Sequence, residues 1–469
     1  MKKYLSLFLA AIATMSLYGA DYSAYYQNLP VELSQVADFE IPNRSVNLSE
    51  FGGVADGVTL NSEAFKSAIE ALSNAGGGRL VVSEGVWLTG PIELKSNIEL
   101  HLERNAVVYF SPDKSLYVDP KPKASRALPC ISAIRCENIA ITGEGTIDGN
   151  GAQWRPVKRD KVSTEEWKAF LAMGGVERKN GTLWYPWELK SGYPDIKETP
   201  EKQEKLRTDL VRINYCENIR ITGVTFQNAP KFHVHPSNCV NVIIDGITVR
   251  CPWNAQNGDA IDLSDCHRAL VVNSVVDCGD DGICMKSDER SKSSDVWGCE
   301  DILIQDNIVY HGHGGFVIGS ESICGMKRII VRDCTFSGTD IGHRFKSNPG
   351  RGGKCEDIYI SDIMMTDIKD EAISLRCDYL DKPAGYTEGD NAIAEYTNVP
   401  EFTDIHISNV VCRGAETAIE AIGVADLRCI YGVTISNSTI VYTKNSDNID
   451  AATAEIKLEN VNLVKDKKL

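Results

Sequence analysis

Four polar clusters fall at near-regular intervals between short apolar stretches of this chain: Asn257-Gly258-Asp259, Gly279-Asp280-Asp281, Gly312-His313-Gly314 and Arg344-Phe345-Lys346. The steps from Asp259 to Asp281, His313 and Arg344 are 22, 32 and 31 residues. If each step is one turn of a solenoid the clusters stack in a column, because neighbouring parallel strands lie about 4.8 Å apart. Three acids, a histidine and two cations would then share one groove over roughly 15 Å. Asp280 and Asp281 are adjacent, and adjacent residues on a regular strand point to opposite faces. For both to face the groove the strand must end or bend there, which Gly279 and Gly282 allow. Two carboxylates forced together do not both ionise easily, so one is expected to keep a proton while the other stays charged. Cleavage of a glycosidic bond has that requirement, an acid for the leaving oxygen and a base for the attacking water. Asp259 adds a third carboxylate. A double aspartate in a turn is by itself ordinary surface decoration; its companions give it weight.

His313 between glycines has a bland reading as a structural histidine. Beside the acids it can instead donate a hydrogen bond and hold an aspartate in the needed protonation state. Arg344 and Lys346 are two apart, hence on one strand face, and an arginine can grip a carboxylate through two parallel bonds. With His343, Arg351 and Lys354 they form a knot of cations in an acidic chain. That knot next to acids suggests an anionic ligand, and specifically an acidic sugar.

The elements that must position these groups are visible as repeats. Cys136-Glu137-Asn138-Ile139-Ala140-Ile141-Thr142-Gly143 is echoed by Cys216-Glu217-Asn218-Ile219-Arg220-Ile221-Thr222-Gly223 and by Cys299-Glu300-Asp301-Ile302-Leu303-Ile304-Gln305-Asp306. Looser copies begin at Cys239, Cys266, Met326, Cys355, Phe402 and Cys429, mostly 23 to 33 residues apart. Period-2 strands on a repeat of that size fit a parallel β-helix; leucine-rich repeats share the period but need a leucine and asparagine scaffold that is absent. Ahead of the repeats, Asn61 and Ser62 open a helical pattern (Phe65, Ile69, Leu72) that stops at Gly76-Gly77-Gly78. Asn or Ser is expected to cap its start, and the helix to cover the open end of the solenoid.

Residues 1–20 read as a secretory signal peptide: Met1-Lys2-Lys3, an apolar run from Leu5 to Leu17, and small residues at Gly19 and Ala20. An exported protein, periplasmic or secreted, is therefore expected, with no membrane anchor. The mature chain would carry 47 basic against 65 acidic residues, or −18, which argues against a general nucleic-acid binder. Residues 21–50 form a turn-rich lead-in, and 51–469 a single domain. Fifteen cysteines are an odd number, and their recurrence just before strands suits stacked small hydrophobes better than bridges. Cys278 and Cys284 leave a bridge open as an alternative.

Two segments break the rhythm. From about 150 to 207 lies an insert with Trp154, Trp167, Trp184, Trp187, Tyr185 and Tyr193, either a small satellite core or a groove wall offering faces for sugars to stack on. The second is the long loop Asp378 to Pro400; long loops are often functional.

Taken together, the four clusters on a β-helix resemble glycoside hydrolase family 28, the polygalacturonases, whose pattern is Asn-Thr-Asp, Asp-Asp, Gly-His-Gly and Arg-Ile-Lys. The resemblance runs from about Phe51 to the last coil, and two middle positions differ, here Gly258 and Phe345. It implies an all-β, right-handed parallel β-helix with an N-terminal capping helix and inserted loops. It implies hydrolysis of α-1,4 galacturonosyl bonds with inversion, without metal or other cofactor. By position, Asp280 resembles the general acid, Asp259 and Asp281 the water-activating pair and His313 the histidine supporting the acid. Arg344 and Lys346 match the residues that hold the galacturonate carboxylate, and Tyr379 matches a family tyrosine. The run His311 to Glu321 and the run Lys346 to Gly353 are similar to those of bacterial exo-acting members, whose inserted loops close one end of the cleft. The Trp-rich insert is the candidate wall. The implied partner is homogalacturonan or an oligogalacturonide.

Other readings remain: an endo-polygalacturonase, a rhamnogalacturonan hydrolase, a calcium-dependent pectate lyase on the same fold, or a carbohydrate-binding adhesin.

Overall fold

What turns each repeat into a coil is its third residue. Asn138, Asn218, Asn241, Asp301 and Asp357 all sit at positive φ, a left-handed conformation that asparagine and aspartate tolerate better than other side chains. The asparagines also stack: Asn138 Nδ2 donates to Asn97 Oδ1 at 2.7 Å, Asn218 to Asn138 at 2.9 Å and Asn241 to Asn218 at 2.7 Å. The apolar-x-apolar positions that follow turn inward, and Ile139, Ile141, Ile219, Ile221, Val242, Ile244, Ile302 and Ile304 are buried. Each such side chain contributes about 1.5–3 kcal/mol of transfer free energy. The result, in a computed structural model that describes residues 21–119, 127–186, 206–287, 298–379 and 398–466, is one long parallel sheet wound into a β-helix.

Its strands stack in three ladders. One contains Glu137–Gly143, Glu217–Thr222, Val240–Asp245 and His267–Val272. A second, shorter, contains Thr146–Asp148, Thr225–Gln227 and Thr248–Arg250. The third runs Val211–Asn214, Val234–Ser237, Ile261–Ser264, Asp281–Ser287, Gly314–Ser322, His343–Lys346 and Glu371–Arg376. All four polar clusters lie on or beside the third ladder.

The capping helix, α1, spans Ser62–Asn74 and buries Phe65, Ile69 and Leu72, and the three glycines after it take positive φ. Its start differs from expectation. Asn61 stands at the cap position, but its side chain makes no capping bond; it accepts from the Val54 amide at 2.7 Å and donates to the Val54, Thr59 and Leu88 carbonyls. It ties the helix to the first coils instead.

The lead-in segment crosses the outside of the solenoid. Tyr22 and Leu33 cover an outward apolar row of Ile243, Leu270, Leu303 and Ile330, while Asp38 meets Arg220 at 2.5 Å and the Tyr25 carbonyl accepts from Arg332 at 3.0 Å. All fifteen cysteines are free thiols, most of them within or against the interior stack. Residues 1–20, where the signal peptide is expected, lie outside the described residues, as do Trp187, Tyr193 and most of the loop between Asp378 and Pro400.

Candidate active site

Strand register brings the acids together. Ile261–Ser264 pairs with Asp281–Ser287, with Ile261 opposite Ile283, and the same offset sets Asp259 beside Asp281; the Ala260 amide donates to the Asp281 carbonyl at 3.0 Å. Asp281 pairs in turn with Gly314, and the His313 amide donates to the Asp280 carbonyl at 2.8 Å. As expected, the strand begins at Asp281 and Asp280 sits in the turn before it. Gly279 is required there by close approach, since a Cβ would lie 2.6 Å from the Ala255 and Pro252 carbonyl oxygens.

The fourth cluster does not stack in that column. Arg344 pairs with Val317 and Lys346 with Gly319, three and five residues beyond Gly314, so Arg344 shares a row with Cys284 and Asp262. Their long side chains reach back instead. Lys346 Nζ lies 2.7 Å from Asp281 Oδ2, and Arg344 Nη1 lies 3.6 Å from Asp281 Oδ1. Phe345 between them points into the core, which confirms their common face. Tyr379 joins them: its ring centre is 5.5 Å from both cationic groups, within reach of cation–π attraction.

The larger knot of cations does not gather. His343 is fully buried against Phe316 and Phe336, and burial pushes its ring down to about 3. It is therefore a neutral core residue. Arg351 pairs with Glu321 at 3.0 Å and Lys354 with Glu356 at 2.5 Å. Arg344 and Lys346 alone of the five face the acids.

Protonation also departs from expectation. Burial opposes ionisation of Asp280 and Asp281, yet both carboxyls are held below the usual range. His313, then Lys346 and Lys286, outweigh burial at Asp280, whose Oδ1 lies 3.1 Å from His313 Nδ1 and whose Oδ2 accepts the Asn257 amide at 3.0 Å. At Asp281, Lys346 and Arg344 overcome both burial and the charge of Asp280. The group pushed up is Asp259. Burial, Asp262 and Asp280 raise it well above the ordinary carboxylate value against the pull of Lys286, which sits 3.2 Å from its Oδ2. The adjacent pair escapes mutual protonation because Lys286 on its own strand and Lys346 and Arg344 on a later one compensate its charge.

Several groups of the site were not singled out in the sequence. Asp262 is fully buried and lies 2.7 Å from Lys286 Nζ. Both are charged residues inside otherwise apolar strands, on the face the clusters use, and that interruption was a readable signal. Lys161 comes from the insert, with its Nζ 3.0 Å from His313 Nε2; nothing in the local sequence marks it. N-terminal to Asp259, buried His235 contacts Asp209 at 3.2 Å and Arg212 at 2.9 Å, and the ring of Phe232 packs on it. C-terminal to Arg344, a pocket of about 420 Å³ is lined by Arg344, Lys346, Glu371, Ser374, Tyr379 and Glu420. Burial and the neighbouring Glu420 push Glu371 up to about 7.

The insert is a satellite core. Strands Val157–Lys158, Leu183–Tyr185 and Val176–Arg178 form a small antiparallel sheet, and α2 (Thr164–Ala172) closes over it. Trp167 and Trp184 are buried within it, and Trp154 packs into the main core edge-on to Tyr117 at 4.9 Å. None of these three offers a stacking face. The insert reaches the cleft with Lys161, and Arg207 at its end donates to Asn257 Oδ1 at 2.7 Å.

Donor atoms of Asp280, Asp281 and His313 lie within 4.8 Å of one another, the spacing a cation could use. The Asp281 oxygens already face Lys346 and Arg344, however, and Asp280 faces His313 and the Asn257 amide, so these ligand atoms are engaged by protein cations and N–H groups.

The model of glycosyl hydrolases family 28 matches residues 158–457, more than half of the chain. A probable polygalacturonase of Vitis vinifera is 29% identical over 341 residues, covering 69% of this chain and 61% of that one. An exo-poly-alpha-D-galacturonosidase of Dickeya chrysanthemi is 26% identical over 407 residues, 81% of this chain and 64% of that one. This chain thus spans somewhat under two thirds of the length of either relative. The crystal structure of a hyperthermoactive exopolygalacturonase from Thermotoga maritima superposes with a TM-score of 0.74 at 29% identity, covering 92% of this chain and 94% of that one.

Proposed function

The chain belongs to the glycosyl hydrolases of family 28, and from that membership we propose that it hydrolyses α-1,4 galacturonosyl linkages of homogalacturonan or oligogalacturonides. The observation that carries this reading is the Asp281 carboxylate held by Lys346 and Arg344 beside Tyr379. It sets a place for a sugar carboxylate next to three acids. Exo-action, releasing galacturonate from a chain end, is favoured by the similarity to an exo-acting relative and an exopolygalacturonase structure; endo-polygalacturonases are among the relatives as well.

In this reading Asp280 is the acid that protonates the leaving oxygen, with His313 supporting it. Its carboxyl is anionic in the empty cleft, so it has to gain proton affinity when substrate binds. The substrate supplies the means. A galacturonate carboxylate drawn to Arg344 and Lys346 shares the positive charge that depresses Asp280 and Asp281, and added negative charge nearby raises both. Asp259 and Asp281 form the water-activating pair, with Lys286 stabilising the charged form of Asp259. Asp280 and Asp281 approach within 4.8 Å at their nearest donor atoms, whereas acid and base in inverting enzymes stand about 6.5–9.5 Å apart. In this reading the base function is shared with Asp259, on the preceding coil. The proposal extends to export through residues 1–20 and to an insert that closes one end of the cleft.

A time course on de-esterified polygalacturonate and on short oligogalacturonides, with ultraviolet absorbance followed in parallel, tests it. Monogalacturonate alone from the first minutes, with no rise in absorbance, is expected. A ladder of oligomers would keep the chemistry and remove the closed end. A rise in absorbance would indicate elimination, and turnover of rhamnogalacturonan alone would move the substrate.

A further inference from the structure

Lys161 lies in the turn after Val157–Lys158 of the insert and far from the four clusters in sequence, yet its ammonium is 3.0 Å from His313 Nε2. An ammonium has three donors and no lone pair. A hydrogen bond at that distance therefore requires Nε2 to be the acceptor, which fixes the ring proton on Nδ1. Nδ1 in turn faces Asp280 Oδ1 at 3.1 Å, where a carboxylate can only accept. Both edges of the imidazole are thus specified by their neighbours. We propose that Lys161 is a positioning residue that keeps His313 neutral, with its proton on Nδ1 and aimed at Asp280. The proposal rests on the reading of Asp280 as the acid.

The competing group is Asp340. Its Oδ2 lies 3.7 Å from the same Nε2, and Lys369 holds its other oxygen at 2.8 Å. Without Lys161, Asp340 can accept a proton-bearing Nε2, and His313 becomes an imidazolium between two carboxylates. Arg344, which donates to the His313 carbonyl at 3.4 Å, and the His311–Asp277 pair two residues upstream complete the charged surroundings. A cation at 3.1 Å from Asp280 holds the carboxylate form more strongly than an ammonium on the far side of a neutral ring, because Coulomb attraction falls with distance. Loss of Lys161 would thus make Asp280 a poorer proton donor by moving positive charge toward it. The insert thereby tunes the acid of the main fold from outside the fold.

The test uses the full chain labelled with ¹⁵N-histidine, with His313→Gln identifying the resonances of His313. Wild type and Lys161→Arg, whose guanidinium is also a donor without an acceptor, should show at neutral pH a protonated Nδ1 and an unprotonated Nε2. Lys161→Met should show a protonated Nε2, and should move the alkaline limb of its kcat profile on oligogalacturonides to lower pH by about half a unit or more. The side chain lies on the half-exposed surface of the insert, so folding should be unaffected. A protonated Nε2 in wild type, or unchanged His313 resonances in Lys161→Met, would overturn the proposal. The resonances are read without substrate, so the tautomer assignment stands or falls separately from any failure to hydrolyse galacturonides.

Discussion

Asp259 and Asp281 are the same residue type, one just ahead of its strand and the other opening the adjacent strand, and both buried, yet they belong to electrostatically opposite halves of one cleft floor. On the N-terminal side Asp259 shares a single lysine with Asp262, and its carboxyl is pushed up. On the C-terminal side Asp281 is in contact with both Lys346 and Arg344 and is held down. The solenoid delivers identical positions; the charges carried on neighbouring rows decide what each carboxyl does. One half raises the proton affinity of its carboxyl, so that Asp259 serves as base only once it is deprotonated, while the other keeps an anion in place, and the scissile bond of the proposed substrate would lie between them.

The comparison breaks most visibly at its centre. Asp280→Asn removes the proposed proton donor without changing shape, and kcat on oligogalacturonides should fall by about 10³-fold or more with KM nearly unchanged. An activity within about tenfold of wild type would give the acid to another carboxyl. In the N-terminal half, Lys286→Met leaves Asp259 and Asp262 buried without their cation, which should cost about 3–5 kcal/mol in denaturant unfolding. The charged form of Asp259 is disfavoured further, so activity that needs its carboxylate should be lost at higher pH as the medium is acidified. An acid limb that stays in place would remove Asp259 from the base. In the C-terminal half, Arg344→Lys keeps the charge and loses the planar fork, and a rise in KM of roughly tenfold is expected with stability little altered.

The smallest effect lies at the pocket beyond Arg344. Glu371 has its folded value raised from 4.5 to about 7, so the folded state binds a proton that the unfolded chain releases. That contribution is present below pH 4.5 and lost as pH rises through about 7. Glu371→Gln should therefore melt with wild type at about pH 4 and above it at about pH 8, a difference that thermal scans at the two pH values resolve.

The coils were legible because their physics is local. A cap residue, a third residue at positive φ that is most often Asn or Asp, and two inward aliphatics recur through the repeats, and each of them answers to its own backbone or to its copy in the next coil. The acids, His313 and the cations were legible as clusters for the same reason. What the sequence withheld was which row each cluster would join. Arg344 and Lys346 stand three and five residues beyond the Asp281 row, an offset set by the corner between Gly314–Ser322 and His343–Lys346 rather than by spacing along the chain. His343 reads as a cation beside Arg344 but faces inward by strand alternation, and the core makes it neutral. Protonation was misread at the Asp280–Asp281 pair because the compensating charges come from far along the chain, Lys346 lying 65 residues beyond Asp281. Lys161 was hidden altogether, since it comes from an insert that folds on its own core and lies 152 residues from His313 in sequence.

The roles assigned to the two halves of the cleft come down to how the bond is broken. Proton NMR of freshly mixed enzyme and an α-linked oligogalacturonide, read before the released sugar equilibrates, reports the anomer first formed. Direct displacement by a water activated at Asp259 and Asp281 predicts the β-anomer of the released reducing end. The α-anomer appearing first, or an unsaturated product in place of either, would contradict it.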